Sequence, residues 1–210
     1  MPPFSRLAAV ILAAGESTRM GRDKAMLSLP SAVAPASEPE TFLSSAIKVF
    51  SESCCEVVVV AGKNAPVLSP VAKANSAILA INPDPSRGQF SSLQIGLHEI
   101  LRRGSDAAFV TLVDRPPPQA ATIHALRHAF ASADESVWAV VPEYRGEHGH
   151  PYIASRSMIE AFLEAPAISS AREVRRRNAA HIVYVALDDP LVVSNINTPE
   201  DYSNLLLSDS

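Results

Sequence analysis

The sequence predicts an α/β fold, a three-layer Rossmann-like domain built on a mostly parallel sheet. Three apolar runs, at residues 7–14, 56–62 and 77–81, are short and nearly continuous, which is typical of strands buried on both faces of a parallel sheet. Helical segments separate these runs, and such alternation favours parallel strands joined by crossovers. With 210 residues, 47% of them hydrophobic and 19% charged, the chain suits one domain spanning residues 1–210.

Local signals predict the elements of the first half in order. The first strand leads into a glycine-containing loop, and residues 30–40 form a proline-rich surface loop that we expect to be flexible. Thr41 then caps a helix that continues to about residue 50. The second strand, a proline-interrupted helix over residues 66–75 and the third strand follow.

The second half continues the same alternation. Asn82 and Pro83 end the third strand, and a turn-rich loop opens a helix whose first turn carries Ser91 and Ser92. Thr198 and Pro199 form a standard opening for the last helix. Between these points the sequence predicts a strand at 107–113, a helix at 119–130, a strand at 137–141, one or two helices within 155–178 and a strand at 181–187.

The loop after the first strand has the composition of a polyphosphate cradle. Gly15, Ser17 and Gly21 let the backbone N–H groups approach phosphate oxygens closely. Arg19 and Lys24 supply positive charge, one as a planar fork and the other as a point charge. The spacing matches neither the P-loop nor the dinucleotide fingerprint. From these residues alone, an ordinary strand-to-helix turn is an equally good interpretation.

A candidate metal ligand follows the fourth strand. Asp114 stands at the carboxyl end of that strand, just before three consecutive prolines, and ligands of open α/β sheets bind at such ends. Mg²⁺ prefers one or two carboxylates together with phosphates and water. The sequence therefore predicts Mg²⁺ at Asp114, holding triphosphate oxygens.

Residues 12–24, LAAGESTRMGRDK, resemble the signature L-A-A-G-x-S-x-R-M-G-x-x-K of the MobA-like nucleotidyltransferases, especially the molybdenum cofactor cytidylyltransferase branch. The resemblance extends from about residue 7 to residue 202. It implies a nucleotidyltransferase fold, CTP as donor, Mg²⁺ as cofactor and a molybdopterin-type phosphate as acceptor, with a molybdoenzyme or its chaperone as a further partner.

The resemblance also implies roles for particular residues. It implies a catalytic group of Arg19, Lys24 and Asp114, metal ligands Asp114 and Asn197, and binding residues Ala13, Ala14, Gly15, Ser17, Gly21, Gly88, Ser92 and His150. Gly88 and Ser92 would contact the base or ribose, while His150 would bind the acceptor or shape its loop. A capped helix and a structural histidine are the alternatives at these positions.

Three residues depart from the pattern of the family. Arg115 follows the aspartate where the cytidylyltransferase branch usually has glutamine, and Asn195 and Asn197 replace two aspartates. Because an amide oxygen is a weaker Mg²⁺ ligand than a carboxylate, Asp114 would be the main anionic ligand. A guanylyltransferase, a transferase with another small acceptor and a non-catalytic chaperone for a molybdoenzyme therefore remain alternatives.

Composition limits the possible partners and location. A net charge of −4 argues against broad nucleic-acid binding, which needs a basic face, and no apolar stretch approaches the length of a membrane span. The apolar run near the N-terminus continues into the phosphate loop, so we interpret it as a strand rather than a secretory signal. Adjacent Cys54 and Cys55 fit a reducing cytoplasm.

A cluster of four arginines follows in the second half of the chain. We interpret it as a solvated face, and the alternative is a basic rim that attracts an anionic acceptor. The four residues are Arg172, Arg175, Arg176 and Arg177.

Overall fold

A computed structural model describes residues 6–15, 23–29 and 40–208, without the side chains of residues 206–208. Within these residues eight strands form one sheet. The strands are β1 (Leu7–Leu12), β2 (Glu56–Ala61), β3 (Ile78–Ile81), β4 (Ala107–Leu112), β5 (Ala139–Tyr144), β6 (Glu147–His148), β7 (Tyr152–Ser155) and β8 (Ile182–Ala186). The helices are α1 (Phe42–Ser51), α2 (Ala65–Ala74), α3 (Gln89–Arg102), α4 (Ala120–Ala131), α5 (Arg156–Glu164), α6 (Ala171–Arg177) and α7 (Pro199–Ser208).

The sheet is mostly parallel, as the sequence predicts. Its strand order is β3-β2-β1-β4-β7-β5-β6, and β8 pairs with β5. The pairs β1/β2, β1/β4, β2/β3 and β5/β8 are parallel, whereas β7 runs antiparallel to β4 and β5. Strand β1 therefore lies between two parallel neighbours, and the residues that follow β1, β2 and β4 meet at one edge of the sheet.

Helices cover both faces of the sheet and give the expected three layers. One core cluster joins the sheet to α3, α5 and α6, and the other joins it to α1, α2 and α4. Gly96 of α3 has a packing role, because a Cβ there would lie 2.5 Å from Cγ1 of Val10 and 2.8 Å from Cγ2 of Val60. The helix can therefore pack directly on the sheet.

The predicted caps are present. The Thr41 hydroxyl accepts a hydrogen bond from the Ser44 N–H at 3.1 Å and so caps α1, and the Thr198 hydroxyl accepts one from the Asp201 N–H at 3.1 Å at the start of α7. Each bond satisfies a backbone donor that has no partner within its own helix.

The sequence does not predict β6 and β7. The predicted helical region begins at residue 155, but residues Tyr152–Ser155 form a fully buried antiparallel strand. Four consecutive buried residues have no alternation to signal a strand, and only the pairing with β4 and β5 defines it. The predicted helical region at 155–178 consists of α5 and α6. The proline-rich segment at 30–39 lies outside the described residues, so the flexibility expected of it stays a prediction.

None of the helices in the described part of the chain combines the length and apolar character required to cross a bilayer.

Candidate functional site

The candidate site lies where the carboxyl ends of β1, β2 and β4 meet. Leu12 and Leu112 are paired in register, so Ala13 and Asp114 follow the ends of neighbouring strands. The loop after β8 reaches the same place, because the Ile196 N–H donates to the Asp114 carbonyl at 2.8 Å. This bond brings Asn197 close to Asp114, although 83 residues separate them in sequence.

Three of the predicted residues form a polar cluster at this edge. The Lys24 ammonium donates to Oδ1 of Asn197 at 2.9 Å and lies 3.6 Å from Oδ2 of Asp114. Lys24 belongs to a short 3-10 helix, Lys24–Met26, and only 9% of its surface is exposed. The structure therefore brings together Lys24, Asp114 and Asn197, whose catalytic and metal-binding roles stay predictions.

Asp114 has an unused ligand atom. Its Oδ1 is buried, and no donor among the described residues bonds to it. A buried carboxylate oxygen without a donor is costly, and a divalent cation would satisfy it. The residues present therefore fit a metal that is held by one carboxylate and by the phosphates it brings. In the described ranges no group of three or more histidine, cysteine or acidic residues offers an alternative metal site.

Asn197 can contribute to such a site only as a neutral ligand. Its Oδ1 already accepts the hydrogen bond from Lys24, but an amide oxygen has two lone pairs and can serve a second partner. Asn197 is fixed by Asp201, whose Oδ2 accepts from the Asn197 N–H at 2.8 Å. This hydrogen bond, with those from Thr198, lowers the pKa of Asp201, which keeps the carboxylate charged and the loop in place.

Only part of the predicted phosphate loop is described. Ala13 and Ala14 are buried at the end of β1, and Gly15 is exposed, with no atom of the described residues within 4 Å of its Cβ position. Ser17, Arg19 and Gly21 lie outside the described residues. Their roles stay predictions.

A residue that the sequence analysis did not identify joins the two ends of this loop. The side-chain amide of Asn64 donates to the Ala13 carbonyl at 2.9 Å and to Oδ2 of Asp23 at 2.6 Å. The Asn64 Oδ1 accepts from the Gly62 N–H at 3.0 Å. Asn64 follows the carboxyl end of β2, so the rule that identified Asp114 could also have found it.

Gly88 and Ser92, the predicted base or ribose contacts, lie at the start of α3. Gly88 has φ +90°, a conformation that favours glycine, and no atom in the described part of the chain lies within 4 Å of its Cβ position. Ser92 is 3% exposed, and its hydroxyl accepts from the Asn82 amide at 2.9 Å. In this structure Ser92 therefore fixes the loop, while Gly88 presents the open surface.

His150 and Arg115 form the opposite wall. Burial, together with the nearby guanidinium groups of Arg115 and Arg175, lowers the pKa of His150 to about 3. The neutral ring donates from Nδ1 to the Val110 carbonyl at 3.3 Å, which leaves Nε2 as an acceptor. Arg115 does not extend into solvent, because its Nη1 donates to the carbonyls of Val192 and Ser194 at 3.0 and 3.2 Å.

Comparisons with known proteins agree with this geometry. Residues 9–182 match the MobA-like NTP transferase domain. The chain is 25% identical over 200 residues to the molybdenum cofactor cytidylyltransferase of Escherichia coli K12, with 95% of each chain covered. It is 29% identical over 205 residues to the "probable molybdenum cofactor guanylyltransferase" of Mycobacterium avium strain 104, covering 96% of this chain and 95% of the other.

Solved structures share the fold. The crystal structure of Rv0371c from Mycobacterium tuberculosis H37Rv superimposes with a TM-score of 0.78 at 20% identity, covering 97% of this chain and 98% of the other. A manganese complex of Rv0371c gives a TM-score of 0.72 at 19% identity, with 97% and 100% covered.

Proposed function

The chain belongs to the MobA-like NTP transferase domain family, and on this premise we propose that it transfers CMP from CTP to the phosphate of a molybdopterin-type molybdenum cofactor. The observation that carries the proposal is the cluster of Lys24, Asp114 and Asn197 at the sheet edge. It combines a buried ammonium with a carboxylate oxygen that has no donor within the described ranges. These features support a site for a phosphate chain and its cation.

The reaction is a substitution at phosphorus. An oxygen of the acceptor phosphate attacks the α-phosphorus of the nucleotide, the bond from that phosphorus to the β-bridging oxygen breaks, and pyrophosphate leaves with the electron pair. Phosphoryl chemistry of this kind depends mainly on positioning and on neutralisation of negative charge. Little covalent participation by the protein is needed.

The described residues offer groups for both positioning and charge neutralisation. The Lys24 ammonium is oriented by its hydrogen bond to Asn197, and its proposed role is to neutralise charge on the departing pyrophosphate. Mg²⁺, bound by Asp114 with Asn197 as a neutral ligand, would neutralise the triphosphate oxygens. Arg19 is proposed to bind the same phosphates from the loop after β1. Asn64 fixes the two ends of that loop through Ala13 and Asp23.

The choice of CTP rests on residues 13–15. They read Ala-Ala-Gly, as in the cytidylyltransferase branch, whereas the guanylyltransferase branch usually reads Ala-Gly-Gly. Ala14 packs beside Gly62, where an added Cβ would lie 3.3 Å from the Ala14 methyl. We propose that a methyl group at residue 14 leaves less space for a purine than glycine would, and so favours the smaller pyrimidine.

Transfer of GMP is the second candidate. Relatives named as guanylyltransferases are as similar to the chain as the cytidylyltransferase is. In addition, residues 195–199 resemble the N-x-N-T-P segment of some guanylyltransferases. A turnover assay with purified protein, molybdopterin and each nucleotide separates the candidates by which nucleotide releases pyrophosphate. Nucleotide binding without any release would support a non-catalytic chaperone instead.

Replacing Ala14 with glycine tests the specificity argument. We expect the ratio of kcat/KM for CTP to that for GTP to fall by about fivefold, because one methyl group is worth roughly 1 kcal/mol of discrimination. The matched control is Ala9→Gly, since the Ala9 methyl is fully buried in the core cluster and its loss should lower stability without changing the ratio. An unchanged ratio in Ala14→Gly would remove the basis for choosing CTP.

A further inference from the structure

The loop between β8 and α7, residues 187–198, brings Asn197 to the candidate site. Its regular structure is limited to one turn of 3-10 helix, Pro190–Val192, so backbone bonds within the loop fix little of its course. Loops of this kind are more mobile than the elements they connect. The place of Asn197 therefore depends on the contacts that the loop makes with other parts of the protein.

Arg115 makes two of these contacts. Its Nη1 donates to the Val192 carbonyl at 3.0 Å and to the Ser194 carbonyl at 3.2 Å. The carbonyl of the preceding residue, Asp114, accepts from the Ile196 N–H at 2.8 Å. Three alternate residues of the loop are thus bonded to two consecutive residues after β4. Because one of these two is Asp114, the loop is fixed to the same short segment that carries the candidate metal ligand.

The next residue of the loop, Asn197, needs an accurate position. Its Oδ1 accepts from the Lys24 ammonium at 2.9 Å, and the same ammonium lies 3.6 Å from Oδ2 of Asp114. A displacement of about 1 Å in a catalytic site can lower the rate on the order of a hundredfold. The Asp201 carboxylate accepts from the Asn197 N–H and fixes the side of Asn197 that leads into α7. The preceding side depends on the bonds to residues 192–196.

The surroundings of Arg115 favour positioning over stabilisation as its role. Its Nε is buried, and no acceptor in the described part of the chain bonds to it. Within the same ranges, no carboxylate forms an ion pair with its guanidinium. A partly buried cation with an unused donor and no ion-pair partner is costly for stability. The contribution of the side chain is therefore its two hydrogen bonds to the loop.

We propose that Arg115 is a positioning residue, which holds the loop of residues 187–198 so that Asn197 stays in place beside Asp114. The role of Asn197 toward a metal and a nucleotide rests on the proposed function, whereas the effect of Arg115 on the loop does not. Electrostatics alone predict the opposite effect on metal binding. The Arg115 charge follows Asp114 directly in the chain and repels a divalent cation there, so its removal alone would strengthen metal binding.

The effect on the loop is tested by amide hydrogen exchange of the full chain, measured by mass spectrometry on peptides that cover residues 190–198. Arg115→Met keeps the length of the aliphatic stem and removes the charge together with both bonds to the loop. We expect these peptides to exchange at least about tenfold faster, as the loss of two hydrogen bonds from a charged donor implies. The melting temperature should change little, because the substitution also removes the buried Nε that no described residue accepts from.

The matched control for this measurement is Arg103→Met. The Arg103 Nε donates to the Glu56 carboxylate at 2.7 Å, and Glu56 begins β2, so this arginine lies at the opposite edge of the sheet from the candidate site. Its loss should leave the exchange of residues 190–198 within about twofold of the natural protein. Equal exchange in Arg115→Met and Arg103→Met would overturn the proposal.

The effect on the site is tested by Mn²⁺ titration in the presence of CTP or GTP, followed by electron paramagnetic resonance. Arg115→Met should weaken Mn²⁺ binding by about fivefold in the natural background but by less than about twofold in Asn197→Ala, because a residue that acts through Asn197 is not additive with it. Tighter or unchanged Mn²⁺ binding in Arg115→Met, or additive effects in the double variant, would overturn the role of Arg115 in the site. Faster exchange of the loop in a protein that binds no metal with either nucleotide would instead reject the proposed function and keep the assignment of Arg115.

Discussion

Replacing Asp114 with asparagine is expected to lower nucleotidyl transfer by at least about a hundredfold, as loss of a major charge-stabilising group usually does. The substitution keeps the shape of the side chain and removes the carboxylate that faces the Lys24 ammonium at 3.6 Å. It also removes the negative charge shared by the buried Oδ1, which has no donor among the described residues. The fold should survive, because the Asp114 backbone carbonyl still accepts from Ile196.

Two measurements distinguish loss of the site from loss of the fold. Titration with Mn²⁺ in the presence of nucleotide, followed by electron paramagnetic resonance, should show at least about tenfold weaker metal binding for Asp114→Asn. The melting temperature should change little. Asp188→Asn, which removes an exposed carboxylate after β8, is the charge-matched control and should behave like the natural protein. Equal Mn²⁺ affinity in Asp114→Asn and Asp188→Asn would contradict the assignment of Asp114 as a metal ligand.

Replacing Gly149 with alanine is expected to destabilise the protein by about 3 kcal/mol. The added Cβ would lie 2.6 Å from the carbonyl carbon of Val192 and would press on the carbonyl oxygen. These are backbone atoms, so no rotamer change relieves the contact. The same Val192 carbonyl accepts from His150 and Arg115, so the substitution should disturb the wall of the site as well.

For a chain of this size, that loss corresponds to a fall in melting temperature of roughly 10 °C. Gly146→Ala, in the same hairpin, separates steric contact from backbone strain. Gly146 has φ +84° but open space at its Cβ position, so alanine there should cost only about 1 kcal/mol. If calorimetry shows the same loss of unfolding free energy for Gly149→Ala and Gly146→Ala, the steric contact between residue 149 and Val192 is not the cause of the destabilisation.

The sequence predicts the central part of the fold well because those strands are buried on both faces. The runs at β1, β2 and β4 are apolar enough to identify without knowing their neighbours. Strand β7 has no such signal, since its four residues follow a turn and gain their place only by pairing with β4 and β5. Local pattern cannot report a pairing between distant segments.

The same contrast between local pattern and long-range contact explains which residues of the candidate site the sequence predicts. Asp114 follows a recognisable strand, and Lys24 and Asn197 stand in segments with a family pattern; the structure brings all three together. The hydrogen bonds of Asn64 to Ala13 and Asp23 span 51 and 41 residues, and neither is visible in the local sequence. The sequence predicts that Arg175 shares a solvated face with its charged neighbours, because charge runs are usually exposed. Its packing over Tyr152 depends on the strand that the sequence did not predict.

The proposed transfer is tested most directly by incubating the purified protein with molybdopterin, Mg²⁺ and equal concentrations of CTP and GTP, and measuring the product by mass spectrometry. The account predicts one cytidylyl group added to the acceptor, with one pyrophosphate released for each product molecule. A guanylyl product would contradict the choice of donor. No nucleotidylated product, despite nucleotide binding by the same preparation, would contradict the proposed transfer reaction itself.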